Sequence, residues 1–268
     1  MVERLKYTYI FVILVYRNID DLRECIDSIG ANVRDFRIVV VNSFYDETSR
    51  EVIAHVAAEK GCDFLNVENK GYSFGNNAGM RYAREHYDYD FIVVSNPDIV
   101  IQRFDDSRIG DFDIVAPQIV AADGRMQNPM VVKECRLARI LVYYGFKWNF
   151  SSLLFAGIAL NKVRRVLSVR MHRNGLPYRI YAAHGSFVLL KKQVVDALFP
   201  VYDERMFLFA EEDILALRAA QTGFAIWYVP DVVIRHKEDG SMKLADFSTN
   251  AELRKSNMYF YETYVKGW

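Results

Sequence analysis

Three short stretches hold residue types able to do chemistry. Asn96-Pro97-Asp98 ends the run Asp90-Phe91-Ile92-Val93-Val94 with a lone carboxylate behind a proline. Proline cannot donate to a sheet ladder, and Asn and Asp suit turns, so a strand-ending turn is one reading. The other is a hard oxygen donor for a cation. Glu211-Glu212-Asp213 follows the apolar lead Met206-Phe207-Leu208-Phe209-Ala210. Acids suit the positive end of a helix, and a carboxylate within reach of a hydroxyl can take its proton. The helix dipole accounts for the acids but not for the apolar lead. His236 closes an apolar segment and precedes Lys237-Glu238-Asp239-Gly240-Ser241. It reads either as a histidine bonded to backbone or as a ligand.

The elements that must position these groups alternate. Tyr9–Tyr16 reads as a buried strand, and Asp20-Asp21 opens a helix with Leu22, Cys25, Ile26 and Ile29 on one face. Arg37–Val41, Asp63–Val67 and Phe91–Val94 read as further strands, with helices expected over Thr48–Lys60 and Tyr72–Glu85. Asp46 is expected to cap the first of these. Continuous apolar strands separated by helices predict a parallel sheet covered on both faces. Ligands of such sheets bind at the carboxyl ends of the strands. Those ends carry Tyr16-Arg17-Asn18, then Asn42-Ser43, Asn69-Lys70-Gly71 and Asn96-Pro97-Asp98. In the second half, Asp113–Pro117, Gly185–Leu190, Ile226–Val229 and Val232–Ile234 read as strands and Glu211–Thr222 as a helix.

The 268 residues suffice for a sizeable core. Lys+Arg and Asp+Glu balance at 34 each, which argues against nucleic-acid binding. Cys25, Cys62 and Cys135 are scattered without metal spacing and suggest a reducing compartment. The run Tyr9–Tyr16 is short and is followed by Arg17-Asn18, so no signal peptide is expected. No uncharged apolar stretch is long enough to predict a membrane-spanning helix. No G-x-G-x-x-G follows the first strand, which disfavours a dinucleotide oxidoreductase.

Taken in order, VILVYRNIDDLRECIDSI, VVVNSFYDET, NKGYSFGNNAGMRYA, SNPDIVI, APQIVAADGRMQN, YDERMFLFAEEDILALR and VPDVVIRHKEDGS resemble the family-2 glycosyltransferases. These are inverting enzymes of the GT-A fold, and the likeness is greatest to bacterial rhamnosyltransferase-like enzymes of cell-surface polysaccharide synthesis. The resemblance covers most of the chain. It implies an α/β GT-A fold: a mostly parallel Rossmann-like sheet flanked by helices, with a smaller acceptor-side region. It further implies a single GT-A domain in which residues 1–125 bind the nucleotide-sugar, 126–175 form a basic and aromatic helical insertion, and 176–268 bind the acceptor. The implied reaction moves a sugar from a UDP- or dTDP-linked donor to a glycan hydroxyl, the implied acceptor being a lipid-linked repeat unit at the cytoplasmic face of the membrane.

SNPDIVI occupies the place of the family's Asp-x-Asp motif, with Asn96 at the first acidic position. The resemblance therefore makes Asp98 a ligand of Mn²⁺ or Mg²⁺, with His236 as a second ligand and Asn96 near the nucleotide or sugar. Gly240 and Ser241 would let the following loop close over the diphosphate, and Lys237 and Lys243 would either add positive charge there or stand solvated. Val15, Tyr16, Asn18, Asn42, Lys70, Gly71 and Asn77 become donor-binding candidates, with Gly71 and Gly75 supplying backbone flexibility. Aligned on Leu215-Ala216-Leu217-Arg218, the family's Glu-Asp pair falls on Glu211 and Glu212, so Glu212 is the implied base; a slip of one residue gives Asp213 instead. The departures at Asn96 and Glu212 keep open a scaffold that binds nucleotide-sugar without catalysis. Residues 133–173 hold nine Lys/Arg against one acid, Glu134, with six aromatics interspersed. A helix over 133–147 would place Lys133, Arg136, Arg139 and Lys147 on one face, suited to an anionic membrane or to a second subunit.

Overall fold

The computed structural model describes residues 4–172, 174–238 and 248–267. Strands β1 (Leu5–Val15), β2 (Phe36–Ser43), β3 (Asp63–Val67) and β4 (Tyr87–Ser95) pair in parallel in the order β3-β2-β1-β4. Helices α1 (Ile19–Asn32), α2 (Glu47–Glu59) and α3 (Tyr72–His86) make the crossovers. Asp46 caps α2 as expected: its Oδ1 accepts from the Ser49 N–H at 2.7 Å. Gly75 lies within α3, not in a turn. A Cβ there would stand 2.4 Å from Leu14, and one at Gly79 the same distance from Val12, so both glycines let α3 press onto β1.

Beyond β4 the sheet is mixed. The strands are β5 (Ile99–Phe104), β6 (Ile114–Ala121), β7 (Tyr178–Ile180), β8 (Phe187–Lys191) and β9 (Ile226–His236). They extend the order as β4-β8-β6-β9-β5, with β7 also on β9. β6 and β9 are parallel, whereas β8 is antiparallel to β4 and β6, and β9 to β5 and β7. The two segments read around Pro230 are one strand; its register with β6 slips there, as a residue without an N–H requires. Helices α4 (Arg136–Lys147), α5 (Ser151–Met171), α6 (Lys192–Leu198), α7 (Glu211–Thr222) and α8 (Thr249–Phe260) complete the chain.

Alternation along β1 divides the core. Ile10 and Val12 join one apolar cluster with Met80, Leu190 and Leu215, while Phe11, Ile13 and Val15 join the opposite one with Leu22, Ile29 and Ile53. The expected helix over 133–147 begins only at Arg136, so Lys133 lies outside it. Arg139 turns inward to pair with Glu134 and Asp213, which removes it from the expected basic face. Arg173, Gly240, Ser241 and Lys243 fall outside the described residues. No described helix is long and apolar enough to cross a membrane.

Candidate active site

The parallel strands open at their carboxyl ends into a cavity of about 590 Å³. Tyr16, Ser43, Gly71, Asn96, Asp98, Glu211, Glu212 and His236 all line it. Three residues separate β4 from β5, so Asp98 sits where the chain reverses into a strand. β5 pairs with β9 so that Ile99 faces His236, and the Lys237 N–H donates to the Asp98 carbonyl at 2.9 Å. This register brings His236 Nε2 to 3.3 Å from Asp98 Oδ1, both side chains being almost wholly buried.

The histidine's orientation is set from behind. Gln127 Nε2 donates to Glu238 Oε1 at 2.7 Å, which leaves Gln127 Oε1 to accept from His236 Nδ1–H at 2.8 Å. With Nδ1 holding one proton, Nε2 faces a carboxylate oxygen, and without a second proton it turns a lone pair toward it. Two acceptors at that distance call for a proton or a cation between them. Asp98 and His236 are thus a donor pair that fits a divalent ion such as Mn²⁺ or Mg²⁺, which commonly takes one or two protein ligands and fills its other positions with phosphate and water. Among the described residues no cluster of three or more His, Cys, Asp or Glu forms a complete metal cage.

The acids stand at the start of α7. Phe209 and Ala210 both adopt left-handed backbone, with φ of 71° and 62°. This costs about 1–2 kcal/mol per residue, and it turns the chain so that Glu211 and Glu212 enter the cavity. Tyr72 Oη donates to the Gly185 carbonyl at 2.8 Å, and the Gly185 N–H donates to Glu212 Oε1 at 3.2 Å. A Cβ on Gly185 would lie 2.9 Å from that oxygen, so the missing side chain is what admits the carboxylate. Burial pushes the Glu212 carboxyl up to about 7. Burial, then the neighbouring Glu212, pushes Glu211 well above the usual range, and Glu211 Oε2 has no hydrogen-bond partner. Burial thus favours the neutral form of Glu211, while Glu212 is poised to exchange a proton near neutrality. Asp213 does not line this cavity; it pairs with Arg139 at 3.0 Å.

Several expected donor-binding residues stand elsewhere. Val15 lies in the core because Leu14 and Tyr16 take the cavity side of β1. Asn42 is buried and donates to Asn66 Oδ1 at 2.7 Å, whereas its neighbour Ser43 reaches the cavity. Asn77 is spent on the Tyr202 backbone, donating at 2.8 Å and accepting at 3.1 Å. Asn18 bonds to Asp21 and Lys70 pairs with Glu68; neither lines the cavity. Lys237 is held by Asp21 and Glu24. Sequence reasoning missed Gln127, His184, Ser186 and the Phe207–Phe209 wall. His184 is signalled only by a lone histidine before Gly185. Burial, then repulsion from His236, pushes its ring down to about 4, so it stays neutral. Its Nδ1 accepts from the Ser186 N–H at 3.2 Å, which leaves Nε2–H as a donor.

Comparison with known proteins adds the lineage. Residues 10–199 match the family described as glycosyl transferase family 2. A 135-residue stretch is 24% identical to the low-salt glycan biosynthesis hexosyltransferase Agl10 of Haloferax volcanii, covering 48% of this chain and 42% of that one. A 100-residue stretch is 24% identical to the rhamnosyltransferase WbbL of Escherichia coli K12, covering 36% of this chain and 37% of the relative. The matched region is less than half the length of each relative. The crystal structure of GalNAc-T7 with UDP, GalNAc and Mn²⁺ superposes with a TM-score of 0.64 over 97% of this chain and 49% of that one, at 12% identity. That likeness establishes the GT-A fold alone.

Proposed function

This chain belongs to glycosyl transferase family 2, and from that premise we propose that it transfers a sugar, with inversion, from a UDP- or dTDP-linked donor to a glycan hydroxyl. The observation that carries this reading is Glu212. Its carboxyl titrates near neutrality, is aimed by the Gly185 N–H, and shares one cavity with Asp98 and His236. In the proposed step, Glu212 takes the proton of the acceptor hydroxyl. The freed oxygen bonds to the anomeric carbon from the face opposite the diphosphate, the glycosidic C–O bond to phosphate breaks, and the nucleoside diphosphate leaves with the electron pair. A divalent ion on Asp98 and His236 would supply positive charge for the diphosphate. Neutral His184 offers an N–H to the same region, and Tyr16, Ser43 and Gly71 line the donor end.

Residues 1–125 would then form the donor half, 126–175 a helical insertion, and 176–268 the acceptor half carrying the base. The relatives' names favour hexosyl or rhamnosyl transfer. The proposed acceptor is a lipid-linked polysaccharide repeat unit at the inner face of a bacterial plasma membrane. Incubating the protein with Mn²⁺, a panel of UDP- and dTDP-sugars and a lipid-linked acceptor tests this, with the anomeric configuration of the product read by NMR. Transfer with inversion is expected. Retention would remove Glu212 from the base role, and donor binding without transfer or hydrolysis would identify a non-catalytic scaffold.

A further inference from the structure

Among the described residues, eleven of the fifteen large apolar side chains that stand exposed fall between Leu137 and Leu176. They gather on the hairpin of α4 and α5, and α5 carries them in reverse. A helix on a soluble protein turns its apolar stripe inward. On α5 the buried positions are Gly157 and Ser168, and a Cβ on Gly157 would lie 2.8 Å from the Ala138 carbonyl of α4. Arg164 and Arg165 reach back to the carbonyls of Glu134 and Met126. Outward stand Phe155, Ile158, Val163, Val166, Leu167 and Val169, which share about half the circumference of a helix about 32 Å long.

The charge on this surface has one sign. No Asp or Glu occurs between Glu134 and Asp196. Lys162 and Arg170 stand exposed on the outer side of α5, and Lys147 is exposed at the end of α4. Beside Lys147 the turn between the helices presents Trp148 and Phe150, both more than half exposed. We propose that this outer face seats the protein on an anionic lipid surface. α5 lies in the plane of the headgroups, its apolar stripe entering the acyl boundary while Lys147, Lys162 and Arg170 meet the phosphates. A second copy fits less well, because a self-complementary contact would bring these cations against their own counterparts with no acid among them.

The inner side of the hairpin is tied to the catalytic helix. Arg139 of α4 donates to Asp213, next to Glu212, and Tyr143 Oη donates to Glu262 at 2.7 Å. Seating the hairpin thus holds the start of α7 at a fixed place relative to the lipid surface, where an acceptor on a lipid carrier would arrive. This last link rests on the glycosyltransferase reading; the lipid contact itself does not.

The test is sedimentation with vesicles of phosphatidylcholine alone and of phosphatidylcholine mixed with phosphatidylglycerol, at low and high salt. Trp148 emission is a second readout, and sedimentation velocity without lipid reports oligomeric state. Binding to the anionic vesicles, weakened by salt and accompanied by a blue shift, is expected. Phe155→Ser with Val166→Ser should lower partitioning about tenfold or more, with the circular dichroism melt and donor hydrolysis in solution unchanged. Absence of binding to anionic vesicles overturns the proposal, as does undiminished binding by the double variant. A lipid-free dimer that the double variant dissociates also overturns it, in favour of a second copy. If the wild type binds vesicles but releases no nucleotide from any donor, the catalytic reading fails and the surface stands.

Discussion

Replacing Glu212 with Gln removes the proposed proton acceptor while preserving its shape. Burial disfavours the charged form of a carboxyl, and here it raises the value from 4.5 to about 7. The base works only when ionised, so wild-type turnover should rise with pH. The ionised fraction is about 0.09 at pH 6 and about 0.91 at pH 8, a roughly tenfold increase. Glu212→Gln should lose about 10²–10⁴ in turnover, leave donor affinity nearly unchanged, and abolish that rise. Glu212→Asp should keep part of the activity. Linkage gives an independent readout. A carboxyl whose folded-state value is raised stabilises the fold at low pH, and that contribution is lost as pH climbs from 4.5 through about 7. The Gln variant should lack this slope in denaturant melts. Asp213→Asn is the companion: it leaves Arg139 short of a partner, so stability should fall by about 1–3 kcal/mol, with a smaller loss of turnover. If Asp213→Asn is dead while Glu212→Gln turns over normally, the base is Asp213; if both are active, the proton acceptor lies elsewhere.

Asp98→Ala should abolish Mn²⁺-dependent turnover and weaken Mn²⁺ binding by calorimetry while the protein stays folded; full activity in EDTA would refute the metal role. Gly185→Ala should displace the Glu212 carboxylate, since the new Cβ would stand 2.9 Å from Oε1, the movable end of a side chain. Turnover should drop at least tenfold with little change in melting. Gly71→Ala meets backbone instead: its φ is 100° and the Cβ would lie 2.2 Å from the Phe207 carbonyl oxygen. It should destabilise by more than about 1 kcal/mol in urea and shift the Phe207–Phe209 wall, raising the donor KM.

Elements with strong local signals were legible in the sequence. β3 and α7 begin and end where the pattern places them: Gly61 stands just ahead of β3 and Gly223 closes α7, both at positive φ. β5 was hidden because Asn96-Pro97-Asp98 reads as a terminus, although only three residues separate two strands. α8 was hidden because its contacts are distant: Tyr259 and, just beyond it, Tyr264 both donate to Asp203. In the site, strand ends located the cavity but not which neighbour faces it. The period of two sends Val15 into the core and Tyr16 into the cavity, and Asn42 and Ser43 divide in the same way. The pairing of Arg139 with Asp213 spans 74 residues and has no local trace. It converts a basic residue expected on a surface into a support for the start of α7.

The cavity bearing Asp98, His236 and Glu212 is proposed to break the bond between a sugar and a nucleoside diphosphate. Release of nucleoside diphosphate from purified protein, Mn²⁺ and a panel of UDP- and dTDP-sugars measures this without knowledge of the acceptor. Slow release from at least one donor is expected, suppressed by EDTA and by Asp98→Ala, and accelerated by acceptor glycan in the wild type but not in Glu212→Gln. Donor binding with no release from any sugar, with acceptor present, would contradict it.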